Sequence, residues 1–354
     1  MINVFASLKA LETLALGNRW SKILCSSVKK IFVYASNDEI MDIQIGDASD
    51  SPITNIVQSG DLELVPSQDI IDGLIEDHSQ VLNYPSSIFF LDIPKSTAES
   101  IQKQFGVICK NENDINDTEL SEKREISCEN GELGHCWSEF LKDIKLYPTN
   151  SVIISDRYIF AKDNNNDNPP KREGRDSIID ILDAILPNSF SKEASYHILL
   201  LFSFTNNSKD CKIPFHKLSS DLSKKIAALR PYKINFELIT VSEAQKNYEL
   251  THNRRIITNY HVIRVEHKIQ AFKGDKSLCS QVLNWDALFS KGILDKSDKP
   301  YKTHQILIRD INEISEYGSQ HATSGYKYSL NGISARNENK EEVFTEIKNR
   351  LIAN

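Results

Sequence analysis

The chain has 354 residues, 40% of them hydrophobic and 26% charged, and a formal net charge of -7 at pH 7. That is enough apolar material for one large or two ordinary domains with a buried core, which excludes extended disorder and collagen-like repetition. The longest purely apolar stretch, around Ile198 to Phe202, is far short of the ~20 residues that span a bilayer, and Lys9 and Glu12 come before any cleavable-looking apolar segment, so the expectation is a soluble cytoplasmic protein.

In chain order, Leu8, Leu11 and Leu14 at helical spacing predict a short helix over Ser7 to Leu16, and Lys30 to Ala35 reads as a strand through Ile-Phe-Val-Tyr. Asn37 to Gly60, acidic and rich in Ser, Asp and Gly, predicts short irregular strands and turns. Asp61 to Val65 is extended, and Ile70, Ile71, Leu74 and Ile75 mark one face of a helix. Ser87 to Asp92 is the strongest strand of this half. After it Ser96 and Glu99 form a capping-box pattern that opens a helix to Phe105, and Val107 to Cys109 begins another strand. Asn111 to Leu133 is polar and acidic, as an exposed insertion would be. Trp137 to Ile144 resumes an apolar periodicity, and Val152 to Phe160 is a strand. Residues 163 to 170, Asp-Asn-Asn-Asn-Asp-Asn-Pro-Pro, form a surface loop and the expected lobe boundary.

The second half predicts a helix over Ser177 to Leu186, an interior strand over Tyr196 to Phe204, a helix over His216 to Leu229 and a strand over Ile234 to Val241. A helix over Ser242 to Leu250, one strand over Arg255 to Val265, a short strand at Ile306 to Ile308 and a last helix from Lys340, with Val343, Phe344, Ile347 and Leu351 on its apolar side, complete it. Strands spaced by helices give an α/β fold with a mixed or mostly parallel sheet covered on both faces, in an arrangement open to two similar lobes. These lobes are an acidic one over residues 1–162, with its insertion near 111–133, and a second over 171–354, with a basic segment at 209–276.

Charge is unevenly spread. Ile31 to Pro94 holds twelve Asp or Glu and no Lys or Arg, whereas Lys209 to Lys276 holds fourteen Lys or Arg against seven acids. Such polarity suits two lobes docking on each other, or a basic surface that meets phosphate, nucleic acid or an acidic protein.

No G-x-x-x-x-G-K-[ST], no G-x-G-x-x-G after a strand and no G-x-S-x-G occurs, so P-loop hydrolysis, ordinary dinucleotide binding and the nucleophile elbow have no support, and no cofactor is expected. The six cysteines include no C-x-x-C pair and read as free thiols. Cys128, His135 and Cys136 supply three zinc-type ligands without a fourth, so no metal site is assigned. Asp92 and Asp156 each end an apolar strand, where α/β sheets gather ligands, and Arg157 beside Asp156 offers a phosphate contact or an ion pair.

The segment from Thr251 to Tyr260 is the most informative. In an extended chain His252 and Arg254 share a face, so an imidazole and a planar donor fork can meet one phosphate, while Arg255 faces away. Lys268 continues the basic character, and Tyr232, Tyr248 and Tyr260 are candidate stacking surfaces. His252, Arg254 and Asn259 together resemble the His, basic and acidic motif of the phospholipase D-like superfamily, with Arg for Lys and Asn for Asp. The other half offers only Ser155-Asp156-Arg157, without a histidine. The resemblance implies a degenerate member that recognises phosphate, nucleic acid or a protein partner through Arg157, Arg254, Asn259 and Lys268. The alternatives are a divergent phosphodiesterase or nuclease with His252, Arg254 and Asp156 as its catalytic residues, and a structural or signalling subunit of an oligomer.

Overall fold

The computed structural model describes residues 2–15, 28–45, 53–54, 63–115, 123–144, 147–204, 213–242, 254–288, 309, 329–330 and 347–352. It is an α/β protein with two main sheets, and no helix among the described residues is long and apolar enough to cross a membrane. The chain divides into two compact units, residues 1–122 with 147–149 and 287–308, and residues 123–146 with 150–286 and 309–354. The division therefore falls away from the Asn-rich loop at 163–170, which lies inside the second unit.

The first unit runs β1 (Ile2–Ser7), α1 (Leu8–Ala15), β2 (Val28–Tyr34), α2 (Asn37–Ile45), β3 (Glu63–Pro66), α3 (Gln68–Glu76), β4 (Ile88–Leu91), α4 (Lys95–Phe105) and β5 (Ile108–Asn111). Its sheet has the order β3-β2-β1-β4-β5 with every pairing parallel. Parallel strands cannot be joined by a tight turn, which is why helical segments alternate with them. Phe5 pairs in register with Phe32 and Phe89, and the three rings stack across the sheet with centroids 4.6 and 5.0 Å apart. Ile71 and Leu74 of α3 and Ala98, Ile101 and Phe105 of α4 pack into the same core.

Two expectations fail in this unit. Asn37 to Ile45 is a helix rather than irregular strand, because Ser36 and Glu39 form the capping box: Ser36 N–H donates to Glu39 Oε2 at 2.8 Å and Glu39 N–H to Ser36 Oγ at 3.3 Å. The box assigned to Ser96 and Glu99 does not form, since α4 begins at Lys95 behind the N-cap Pro94, two residues before a Ser96 cap would start it, and has no side-chain cap.

The second unit contains β6 (Lys123–Cys128), α5 (Trp137–Phe140), β7 (Ser151–Ser155), α6 (Glu173–Ile185), β8 (Tyr196–Phe204), α7 (Phe215–Ala227), β9 (Ile234–Ser242), β10 (Arg255–Thr258), β11 (His261–Val265), β12 (Phe272–Lys273), β13 (Lys276–Ser277), β14 (Gln281–Ala287) and β15 (Ser329–Leu330). Its large sheet is ordered β15-β9-β8-β7-β10-β11-β14-β6. β7, β8 and β9 are parallel and joined through α6 and α7, whereas β10 is antiparallel to both β7 and β11. Part of the expected insertion near 111–133 is therefore strand β6, paired antiparallel with β14. The strand expected over Arg255 to Val265 is instead a hairpin turning at Asn259 and Tyr260. Beyond Ser242 the expected helix to Leu250 lies outside the described residues, as does Ile306 to Ile308. Of the last helix, expected from Lys340, only residues 347–352 are described; they form irregular chain and a turn, with Ile347 and Leu351 buried.

This terminal segment is held by buried polar groups. Lys348 N–H donates to Glu237 Oε1 at 2.6 Å, His197 Nδ1 bonds the Lys348 carbonyl at 2.7 Å, and Ser151 Oγ bonds Asn349 Oδ1 at 2.8 Å. Burial pushes the Glu237 carboxyl up from 4.5 to about 7, against the opposing N–H groups of Lys348 and Asn349 and the charge of Lys348. The folded protein thus keeps a proton on Glu237 that the unfolded chain has lost. This contribution is complete below pH ~4.5 and disappears as pH rises through about 7. Relative to wild type, Glu237→Gln should therefore gain stability between pH 5 and 8, on the order of 3 kcal/mol. Urea melts at several pH values test this, because His197, which titrates the other way, is common to both proteins; a flat difference contradicts it.

Candidate functional site

Beyond the carboxyl ends of β7, β8 and β9 lies the edge where α/β sheets gather ligands. β7 stops at Ser155 because the Asp156 side chain turns the chain: its Oδ1 accepts the Tyr158 N–H at 2.8 Å, and its Oδ2 accepts the Ile269 N–H at 3.1 Å. Arg254, directly before β10, meets the same carboxylate because Arg255 pairs with Ser155 in the antiparallel register. Its Nε lies 4.0 Å from Asp156 Oδ1, and its Nη1 donates to the Glu266 carbonyl at 3.2 Å. Two expected site residues, 98 positions apart in sequence, are thus brought together by one strand pairing.

Asp156 is 0% exposed and Arg254 is partly exposed. Burial pushes the Asp156 carboxyl above its ordinary value, opposed by the Tyr158 and Ile269 N–H groups and the Arg254 guanidinium. With both oxygens engaged and no solvent access, Asp156 is placed to hold Arg254 and the following turn rather than to touch a ligand. Arg157 is 7% exposed, and its guanidinium carbon sits 5.1 Å from the centroid of the Tyr158 ring, which is itself 42% exposed.

The far wall is the segment Glu266 to Gln270. Gln281 clamps it, its Oε1 accepting the N–H groups of His267 and Lys268 at 3.2 and 3.1 Å and its Nε2 donating to the Lys268 carbonyl at 3.2 Å. Gln270 Nε2 reaches the carbonyls of Ile159 and Tyr158. Lys268 and Lys162 both act on the Cys279 thiol, opposing the burial that pushes it up.

Asn259 does not belong to the site. It sits at the turn of the β10–β11 hairpin, at the opposite end of β7, where its Oδ1 accepts the N–H groups of Asn150 and Ser151 at 2.9 and 3.1 Å and its Nδ2 donates to Asn150 Oδ1 at 2.8 Å. Five residues of extended chain put it roughly 15 Å from Arg254. Its place as a ligand contact is therefore corrected to a buried joint between two strands. His252 lies outside the described residues, as does Tyr248. Tyr232 and Tyr260 are buried, and the exposed tyrosine on the turn after Asp156 is Tyr158, which sequence reasoning passed over.

Among the described residues no group of three or more His, Cys, Asp or Glu is placed to hold a metal ion. Cys128 is buried against the carbonyls of Cys279 and Gln281, His135 pairs with Glu132 at 3.2 Å, and Cys136 contacts Ser138. No family model matches the chain, and no curated protein is similar enough to count as a match.

Proposed function

We propose that the second unit recognises the phosphodiester backbone and bases of single-stranded nucleic acid without catalysing a reaction on it. The observation that carries this reading is that one carboxylate oxygen, Asp156 Oδ1, meets both the partly exposed Arg254, 4.0 Å away, and the backbone N–H of Tyr158, a residue 42% exposed. A guanidinium fixed by a carboxylate and a carbonyl presents a preformed donor fork to phosphate oxygens. An exposed ring backed by Arg157 offers a face on which a base stacks. Lys268 adds a charge that tracks the backbone. The engaged, buried carboxylate of Asp156 favours binding over acid–base chemistry, in keeping with the expected degenerate relation to phospholipase D-like proteins.

Calorimetry with an oligothymidylate at low and moderate salt tests this reading. Wild-type binding should weaken as salt is raised. Arg254→Lys keeps the charge and loses the fork, so it should weaken binding about tenfold or more, with Arg255→Lys changing it less than about threefold. Tyr158→Ala should cost about 1–3 kcal/mol of binding per stacked base. No binding by wild type at either salt, or equal losses for the two arginine variants with melting unchanged, overturns the reading.

A further inference from the structure

A second feature of the same unit lies away from Arg254, near the starts of β7 and β8. Ser151 pairs in parallel register with His197, and Leu199, two residues further along β8, pairs with Glu237. Side chains two apart on a strand share a face, so Ser151, His197 and Glu237 line one side of the sheet. Residues 347–352 lie against them in neither helix nor strand.

The contacts are those of a bound peptide. The main chain is read at Lys348, whose N–H donates to Glu237 Oε1 at 2.6 Å and whose carbonyl is bonded by His197 Nδ1 at 2.7 Å. Asn349 is 0% exposed, and both ends of its amide are used. Its Oδ1 accepts from Ser151 Oγ at 2.8 Å and from the Leu351 N–H at 3.1 Å, and its Nδ2 donates to the Val152 carbonyl at 3.3 Å. Arg350 Nη1 donates to the Ser195 carbonyl at 2.6 Å.

Three properties set this segment apart from the core. It carries its own turn, since the Leu351 N–H meets Asn349 Oδ1 and the Ile352 N–H meets the Asn349 carbonyl at 3.0 Å, which lowers the entropy a separate peptide would lose on docking. Its apolar anchors are shallow: Ile347, Leu351 and Ile352 keep 8 or 9% exposure, against 0% for Ile198, Leu199 and Leu200 of β8. Glu237 Oε2 is buried and has no hydrogen-bond partner among the described residues, a cost that is relieved when the segment lifts and water enters. Elements with few deeply buried apolar contacts are the ones that open locally.

We propose that the Ser151, His197 and Glu237 face of β7–β9 is a peptide-recognition site, filled by residues 347–352 of its own chain and open to a peptide of the same Lys-Asn-Arg-Leu pattern supplied in trans. Specificity lies in the asparagine: an aspartate keeps the acceptor but sets a second oxygen against the Val152 carbonyl. The assignment does not depend on nucleic-acid binding at Arg254.

Amide exchange of the wild-type chain tests the opening. The Lys348, Leu351 and Ile352 amides should exchange at least ~100-fold faster than those of Leu199 to Leu201 and without dependence on low urea. Calorimetry with an acetylated peptide of residues 346–354 tests recognition. The full chain carrying Asn349→Asp, which frees the site, should bind this peptide about tenfold or more tightly than wild type does, where the chain's own segment competes. The same peptide with aspartate in place of its asparagine should bind that variant about tenfold or more weakly. Segment amides that exchange only with those of β8, an Asn349→Asp chain that does not fold, no binding of the peptide to that chain, or equal affinity for the two peptides would each overturn the proposal.

Discussion

Gly174→Ala is expected to cost about 4 kcal/mol or more, or to prevent folding altogether. Gly174 is the second residue of α6, and a Cβ built there would stand 1.9 Å from the Ile159 carbonyl oxygen and 2.8 Å from its carbon. Both are backbone atoms, so no side-chain rotation relieves the clash. Ile159 cannot retreat easily, because it is buried and its carbonyl also accepts from Gln270 Nε2. Helix propensity alone predicts the opposite sign, a gain of about 1 kcal/mol for Ala over Gly in a helix. Urea denaturation of the variant therefore separates the two accounts: a loss under ~1 kcal/mol, or a gain, would show that the turn after Asp156 is not packed onto the helix start. The same approach positions the site, because the turn that carries Arg157 and Tyr158 rests on α6 through Ile159 and Gly174.

The most apolar elements were legible in the sequence because burial on both faces leaves a continuous signal. Tyr196 to Phe204 has the same bounds in the chain pattern and in the sheet, and Ile178, Ile181 and Leu182 of α6 are all 0% exposed. β1 was not legible: Ile2 to Ser7 runs directly into α1, and six residues beside a helical repeat do not announce a central strand. Leu283 to Ala287 did carry a signal, since Leu283, Trp285 and Ala287 alternate with Asn284 and Asp286, the period of a half-buried strand, and those three are the buried ones. Its partner Lys123 to Cys128 is a charged edge strand and carried almost none.

At the candidate site, Asp156 and Arg254 could each be picked out locally, but their meeting depends on the antiparallel pairing of β10 with β7, which neither segment encodes alone. Asn259 shows the converse. A motif spacing treated as a single extended strand placed it with Arg254, and the hairpin turned it to the other end of the sheet, where an asparagine satisfies two strand-end N–H groups.

Removal of Asp163 should be nearly as damaging as the alanine at Gly174, and for an electrostatic reason. Asp163 is 0% exposed and accepts the N–H groups of Gly174 and Arg175 at 2.8 and 3.2 Å, so it satisfies the start of α6 from outside the helix. The Arg175 guanidinium, on a residue 2% exposed, bonds it through Nε at 3.0 Å and reaches Asp221 at 2.9 Å and Asn165 at 2.9 Å. In Asp163→Ala the cation keeps, among the described residues, only the partly exposed Asp221 as a carboxylate partner, and breaking a buried pair in this way costs about 3–5 kcal/mol. Losing the two helix-start bonds adds about 1 kcal/mol. If the stranded charge is the main cause, Asp163→Ala combined with Arg175→Met should be more stable than Asp163→Ala alone, because methionine fills the space without a charge to solvate. Melting the two single variants and the double variant decides it. A double variant as unstable as the sum of the singles would mean that capping and packing, rather than the unpaired guanidinium, carry the loss.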